Sequence, residues 1–311
     1  MEKEEQNVLS LSGGKDSTAM LLLAIERGTD NLRPVFCDTG NEHRLTYEYV
    51  QYLEKATGIH VDWVKADFAA HIIRKRTVVE TKWRAEGVPE QTIQSALSVL
   101  HPTGNPFLDM CIYHGRFPAS RVRFCSFELK QNVIKEQVHL PLLRDGFDVL
   151  SWQGVRRDES PARACAAVRD LAMTEETTGA ELWNYRPILD WTAEDCFAIM
   201  RRHGIEPNPL YKMGMSRVGC MPCIHSRKEE LREIGNRFPE EIERIAQWET
   251  IVKKAGRTGT ASFFAHADEH GDSIHAVVEW SRTARGGRQL EIFAAGEQEP
   301  TQCSSKYGLC E

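Results

Sequence analysis

The residues Ser12-Gly13-Gly14-Lys15-Asp16-Ser17 join a short apolar run, Val8 to Leu11, to an apolar stretch of helical spacing that begins at Asp16. Two adjacent glycines let the backbone turn tightly and aim its N–H groups at an anion. The N-terminus of the following helix adds partial positive charge, and Lys15 supplies a full one. The chemistry this predicts is phosphate binding. A Walker loop would need a glycine five positions before Gly14 and a serine or threonine after Lys15. Those places hold Leu9 and Asp16, so the grip on a nucleotide must be of another kind.

A second group of residues points to metal or sulfur chemistry. Cys220-Met221-Pro222-Cys223 sets two thiols at a spacing that lets both face one centre. Cys125 is the expected companion, because the flanking Arg121, Arg123 and Lys130 would lower its pKa and favour the thiolate. A fourth ligand would come from the tail, from Cys303 or Cys310. Four thiolates suit either a [4Fe–4S] cluster or structural zinc, and spacing does not choose between them. Cys37, Cys165 and Cys196 lie in apolar or helical surroundings and are expected in the core, while Cys111 is left undecided. His266, His270 and His275 lack the His-Glu-x-x-His arrangement and are expected to be exposed or structural rather than ligands.

These residues need a scaffold. The chain has 311 residues, enough for one large domain with an appendage or for two domains. Its charged start, Met1-Glu2-Lys3-Glu4-Glu5-Gln6, has no signal-peptide run, and no apolar stretch approaches the ~18 residues of a membrane span, so a cytoplasmic protein away from the membrane is expected. Nine cysteines, odd in number and unevenly spaced, are no disulfide framework. A formal net charge of −6 argues against nucleic-acid binding by bulk charge. Local basic stretches at Arg74-Lys75-Arg76 with Lys82 and Arg84, and from Arg116 to Lys130, keep nucleic acid as a minor expectation, with a solvated helix face the simpler reading of the first.

Strand-like segments at Val8–Leu11, Leu32–Cys37, His60–Val64 and Phe147–Trp152 alternate with helical runs at Asp16–Arg27 and Leu45–Thr57. Tyr185 to Leu189 reads as a further extended piece. The alternation predicts a three-layer α/β/α fold with a mostly parallel sheet. Three polar loops then fall where ligands bind such sheets, at the carboxyl ends of strands: residues 12–17, Asp38-Thr39-Gly40-Asn41-Glu42, and Gly154-Val155-Arg156-Arg157-Asp158-Glu159-Ser160. Thr192 with Asp195 predicts a capped helix through Arg202. A helical insertion is expected at about 68–115, and helix again from Arg227 to Lys254. Gly256 to Gly259 reads as a linker, and the alternation of Ser273 to Thr283 reads as an edge strand. The expected division is a nucleotide-binding α/β domain over 1–205 and a helical, cysteine-bearing region over 206–311.

With these motifs in order, the chain resembles the phosphoadenosine phosphosulfate (PAPS) reductase-like family of the adenine nucleotide alpha hydrolases, in the broad sense that includes the sulfate adenylyltransferase small subunit and the DNA phosphorothioation sulfurtransferases. Besides the three loops, the run from Arg186-Pro187-Ile188-Leu189-Asp190-Trp191-Thr192 through Asn208-Pro209-Leu210-Tyr211 to Arg217-Val218-Gly219-Cys220 carries the resemblance. It implies a PP-loop, Ser12, Gly13, Gly14, Lys15, Asp16 and Ser17, on the phosphates of ATP or an adenylyl sulfate. Asp38 and Asp16 would hold Mg²⁺, and Gly154 and Arg156 would meet the reacting phosphate or sulfate, with Arg157 and Arg163 as second choices.

Two departures bear on function. Sulfonucleotide reductases of this family resemble one another in a Glu-Cys-Gly-Leu-His tail, whereas this chain ends Tyr307-Gly308-Leu309-Cys310-Glu311. Cluster-bearing members have an upstream Cys-Cys pair where this chain has Phe124-Cys125. The leading expectation is a PP-loop enzyme that cleaves ATP at the α-phosphate, releases pyrophosphate and uses a cysteine-held [4Fe–4S] cluster in sulfur transfer, with a sulfur donor as partner. The alternative is a thiol-dependent sulfonucleotide reductase in which Cys310 or Cys303 attacks sulfur and a thioredoxin-like protein regenerates the thiol. A nucleotide-binding regulator with structural zinc is the third.

Overall fold

The structure is a computed structural model that describes residues 3–264 and 272–283. Its centre is a six-stranded sheet in the order β3-β2-β1-β4-β6-β5. The strands are β1 (Glu5–Leu11), β2 (Leu32–Asp38), β3 (Asp62–Lys65), β4 (Asp148–Trp152), β5 (Arg169–Thr174) and β6 (Glu181–Tyr185). All pairings are parallel except β5 with β6, so a single antiparallel strand closes one edge.

The three layers follow from the alternation of side chains along each strand. On β1, Leu9 and Leu11 face a cluster with Met20, Leu21 and Ala24 of helix α1 (Lys15–Glu26), Tyr49, Val50 and Leu53 of helix α2 (Arg44–Thr57), and Phe197 and Met200 of the helix Ala193–Arg202. Val8, Val35 and Val149 face the other way, onto Val138 and Leu143 of the helical segment 124–144. The helix Ala193–Arg202 begins at the expected box, with Thr192 Oγ1 accepting from Asp195 N at 3.2 Å.

The sheet reverses its winding at β1, which has β2 on one side and β4 on the other. At such a reversal doubly wound sheets take their ligands in a crevice at the carboxyl ends of the strands. The first loop follows β1 and the third follows β4, so both rim this crevice.

The 68–115 insertion is helical: α3 (Ala69–Val78), α4 (Glu90–Leu97) and α5 (Pro106–His114). Phe107, Met110 and Ile112 share one apolar cluster with Ile234, Ile245, Trp248 and Val252 of the helices Lys228–Arg237 and Pro239–Ala255. Those two helices replace the single run expected from Arg227 to Lys254; the chain breaks at Phe238, where Pro239 starts a new helix.

Two further expectations are corrected. Ser273 to Thr283 is not an edge strand but a helix, Ile274–Ser281, with Ser273 as its cap and Ile274, Val277, Val278 and Ser281 buried along one face. The extended piece of Tyr185 to Leu189 is a strand only up to Tyr185, and β5 went unread because its residues are polar or exposed. No described helix is long and apolar enough to cross a membrane.

Candidate active site

The first loop forms a closed knot between β1 and α1. Ser17 Oγ donates to Gly14 O at 3.0 Å and accepts from Ser12 N at 3.1 Å, and the Ser12 and Ser17 hydroxyls are 3.1 Å apart. Gly13 sits at φ +72°, and a Cβ there would come within 3.2 Å of Thr46 Cγ2, so the position is a glycine's for both conformation and space. Two residues from the distant Asn208–Tyr211 motif brace the loop. Asn208 Nδ2 donates to Gly13 O at 3.2 Å, and Lys15 N donates to the Tyr211 hydroxyl at 2.8 Å.

Asp16 is the charge hub of the crevice. Its Oδ1 accepts from Arg156 Nε at 2.6 Å and its Oδ2 lies 3.2 Å from Lys15 Nζ. Lys15 and Arg156 are 6% and 4% exposed, so the charges meet in a largely dry place. Arg156 Nη1 also donates to Asp158 Oδ2 at 2.6 Å, and the Cys196 thiol donates to Asp16 Oδ1 at 3.6 Å. The third loop is thus brought onto the first, with Gly154 against Asp16. The two second-choice arginines turn away, Arg157 to Asp190 and Arg163 to Glu159.

The second loop reaches from the crevice to the thiols. Asp38 Oδ1 accepts from Gly40 N at 2.9 Å and from the Tyr47 hydroxyl at 2.7 Å. Gly40 has φ +74°, and its missing Cβ makes room for Asn105, whose Nδ2 donates to Gly40 O at 2.7 Å. Glu42, buried, accepts from Thr39 Oγ1 and pairs its backbone with Cys220 in an antiparallel bridge. Cys220 Sγ lies 3.6 Å from Thr39 Oγ1 and 3.8 Å from Glu42 Oε1. Burial, followed by the Glu42 carboxylate, pushes the Cys220 thiol up to about 12.

Cys125, Cys220 and Cys223 are brought to one side of the molecule. Cys223 lies near enough to raise the pKa of both other thiols. One expectation is reversed here: Cys125 is raised rather than lowered, because burial and then Cys223 outweigh Lys130. Among the described residues no three His, Cys, Asp or Glu groups close on a single metal position, whether at these thiols or at Asp16 and Asp38. Cys303 and Cys310 lie outside the described residues, as do His266 and His270. Cys37 and Cys196 are buried as expected and both are pushed up to about 12, first by burial. Cys165 is exposed, contrary to the core expected for it, and Cys111 is fully buried. His275 is solvated beside Glu243, at 3.5 Å.

Three residues in and around the site have contacts that sequence reasoning did not give them. Lys130 lies 4.0 Å from Glu42. Burial opposes its charge, but Cys220, Glu42, Cys223 and Cys37 together hold its pKa above the usual lysine value. Arg244 donates to Gly40 O at 3.3 Å, Asn41 Oδ1 at 3.0 Å and Met221 O at 2.7 Å, tying the second loop to the thiol turn. Lys75, read as one of a solvated run, instead turns inward to Ile112 O at 2.9 Å, where burial brings its pKa down to about 8. No local pattern marks these positions, since each acts through a contact distant in sequence. A separate cavity of about 650 Å³ is lined by Asn7, Arg27, Asp30, Trp152 and Tyr185 among others, and by no residue of the three loops.

The model of the phosphoadenosine phosphosulfate reductase domain matches residues 6–226. An uncharacterized 37.8 kDa protein of Escherichia phage 186 is 46% identical over 98% of this chain and 96% of its own length. An adenosine 5'-phosphosulfate reductase of Burkholderia cepacia is 31% identical over 32% of this chain, a match that spans 39% of that enzyme. Among solved structures, the phosphoadenylyl-sulfate reductase of Candida auris in its phosphate complex aligns with 70% of this chain and 82% of its own, at 17% identity and a TM-score of 0.40.

Proposed function

Because the chain belongs to the phosphoadenosine phosphosulfate reductase domain family, we propose that it binds ATP on the 12–17 loop, cleaves it at the α-phosphate with release of pyrophosphate, and uses its thiols in transferring sulfur to an acceptor. One observation carries the reading. The five-residue loop from Asp38 to Glu42 leaves the end of β2 beside β1, which carries the 12–17 loop, and its last residue bridges to Cys220, which supports nucleotide and thiol chemistry at one edge of the sheet.

Lys15 and Arg156 are held on different oxygens of Asp16 before a nucleotide arrives. The polyphosphate takes the place of Asp16 as their partner, so charge that builds on the α-phosphate during adenylation meets cations already in position. Mg²⁺ needs only one or two carboxylates beside the phosphate oxygens, which Asp16 or Asp38 can give.

The donor set of Cys125, Cys220 and Cys223 beside Lys130 suits a thiolate-bound group, because the lysine offsets the charge of deprotonated sulfurs. A fourth ligand would be Cys303 or Cys310. A [4Fe–4S] cluster held there would supply one-electron chemistry; zinc would supply only structure. In this reading residues 1–205 hold the nucleotide, and Cys125 joins the 206–311 region in holding the thiol centre.

The test is anaerobic purification followed by incubation with ATP and with adenylyl sulfates. Pyrophosphate release together with visible thiolate-to-iron absorption supports the proposal, and a colourless zinc-loaded protein removes its redox half. The matches to adenosine 5'-phosphosulfate reductases favour a second reading, sulfonucleotide reduction. It requires sulfite release from an adenylyl sulfate that Cys310→Ser abolishes, and no release of pyrophosphate from ATP.

A further inference from the structure

The chain carries a net charge of −6, yet two long stretches, residues 110–127 and 207–228, contain no aspartate or glutamate. The fold brings them together at Cys125 and Cys223. Arg217 Nη2 lies 3.3 Å from Cys223 Sγ. Arg123 and Arg217, one from each stretch, both stand near His225. Arg116 covers the ring of Phe124 at 5.7 Å, and Arg121 and Arg123 are exposed on the same turn.

The bordering carboxylates turn to partners other than these arginines. Glu128 is taken by His114 at 2.9 Å, and buried Glu230 accepts from Ser216. Two large apolar side chains stand out of the same surface, Phe127 at 57% and Val122 at 47% exposed. Exposed apolar groups among arginines suit a partner that offers both negative charge and flat apolar faces.

We infer that this surface docks a single-stranded nucleic acid, with phosphates on Arg121, Arg123 and Arg217 and a base against Phe127. A duplex would hide its base faces from Phe127, whereas an unpaired strand offers them with its phosphates. Docked there, the strand passes beside Cys125 and Cys223. That it is the acceptor of the transferred sulfur rests on the proposed function; the docking does not.

The test is fluorescence anisotropy of the full chain with a labelled single-stranded 20-mer over a range of salt, without nucleotide, so that failure of the ATP chemistry leaves the readout intact. Binding should weaken as salt rises, and Arg121→Glu with Arg123→Glu should weaken it at least about 10-fold and flatten the salt slope by about 1–2. Phe127→Ala should weaken it about 5-fold or more with the slope unchanged. Arg74→Glu with Arg76→Glu, on the insertion, should leave it as it was. Absence of binding overturns the inference. So does binding that ignores the Arg121 and Arg123 reversals, equal affinity for duplex, or equal affinity for poly-glutamate, which would mark an acidic protein as the partner.

Discussion

Arg156 Nε stands 2.6 Å from Asp16 Oδ1, across 140 residues of sequence. The contact joins the loop after β4 to the loop after β1 at the point where the sheet reverses its winding. Arg156→Ala takes one of two cations from the Asp16 carboxylate, with Lys15 still on its other oxygen, and losing such a charged hydrogen-bond partner costs about 1–3 kcal/mol. Urea unfolding should show a loss of that order. Arg156→Lys should recover part of the stability but little turnover, because lysine cannot engage Asp16 and Asp158 together as the guanidinium fork does.

Lys15→Ala removes the mobile cation of the cradle. Calorimetric titration with ATP should show affinity lower by about 10–100-fold, the worth of a hydrogen bond to a charged group. The far-UV circular dichroism should be unchanged, since the Ser12, Gly14 and Ser17 bonds that close the loop do not involve the lysine side chain.

His139 gives a prediction about pH. It is 7% exposed, its Nε2 has no hydrogen-bond partner, and burial brings its pKa down to about 4. The folded pKa is below the unfolded value of about 6.5, so the protein with neutral His139 is favoured above pH 6.5. That advantage is lost as the pH falls from there to about 4, an effect of about 3 kcal/mol. The buried Glu241 and Glu249 are raised and act in the opposite sense, so the comparison must isolate the histidine. The difference in urea stability between wild type and His139→Leu should shift toward the variant between pH 7 and pH 4.5; a difference constant with pH would contradict it.

Thiol labelling should follow burial. With iodoacetamide near pH 7.5, Cys165 should be alkylated first, and Cys37, Cys111 and Cys196 only after denaturation. Mass spectrometry of timed samples reads the order directly. Arg244→Ala, which releases Met221 O and the second loop, should speed labelling of Cys220 several-fold while leaving Cys196 unchanged.

Where burial writes a simple pattern, the sequence could be read. β1, β2 and β4 are apolar runs covered on both faces, and the helix from Ala193 has its capping pair in plain view. β5 was missed because its residues, Arg169 to Thr174, lie on an exposed edge. Ile274, Val277, Val278 and Ser281 have helical spacing, but eight residues are short enough for alternation to mislead. In the site, the 12–17 loop and the Cys220–Cys223 pair announced themselves through local spacing. Lys130 and Asn208 lie in stretches the sequence marked and Arg244 does not, but what each of the three does there was not legible, since it depends on a partner elsewhere in the chain.

The stretch from Asp38 to Glu42 is a taut link from the end of β2 to the backbone of Cys220. Asn105 and Arg244 brace its middle and Cys220 is fastened to its far end, so it has little slack. A displacement of Asp38 would therefore be carried along the loop to Glu42 and the backbone of Cys220.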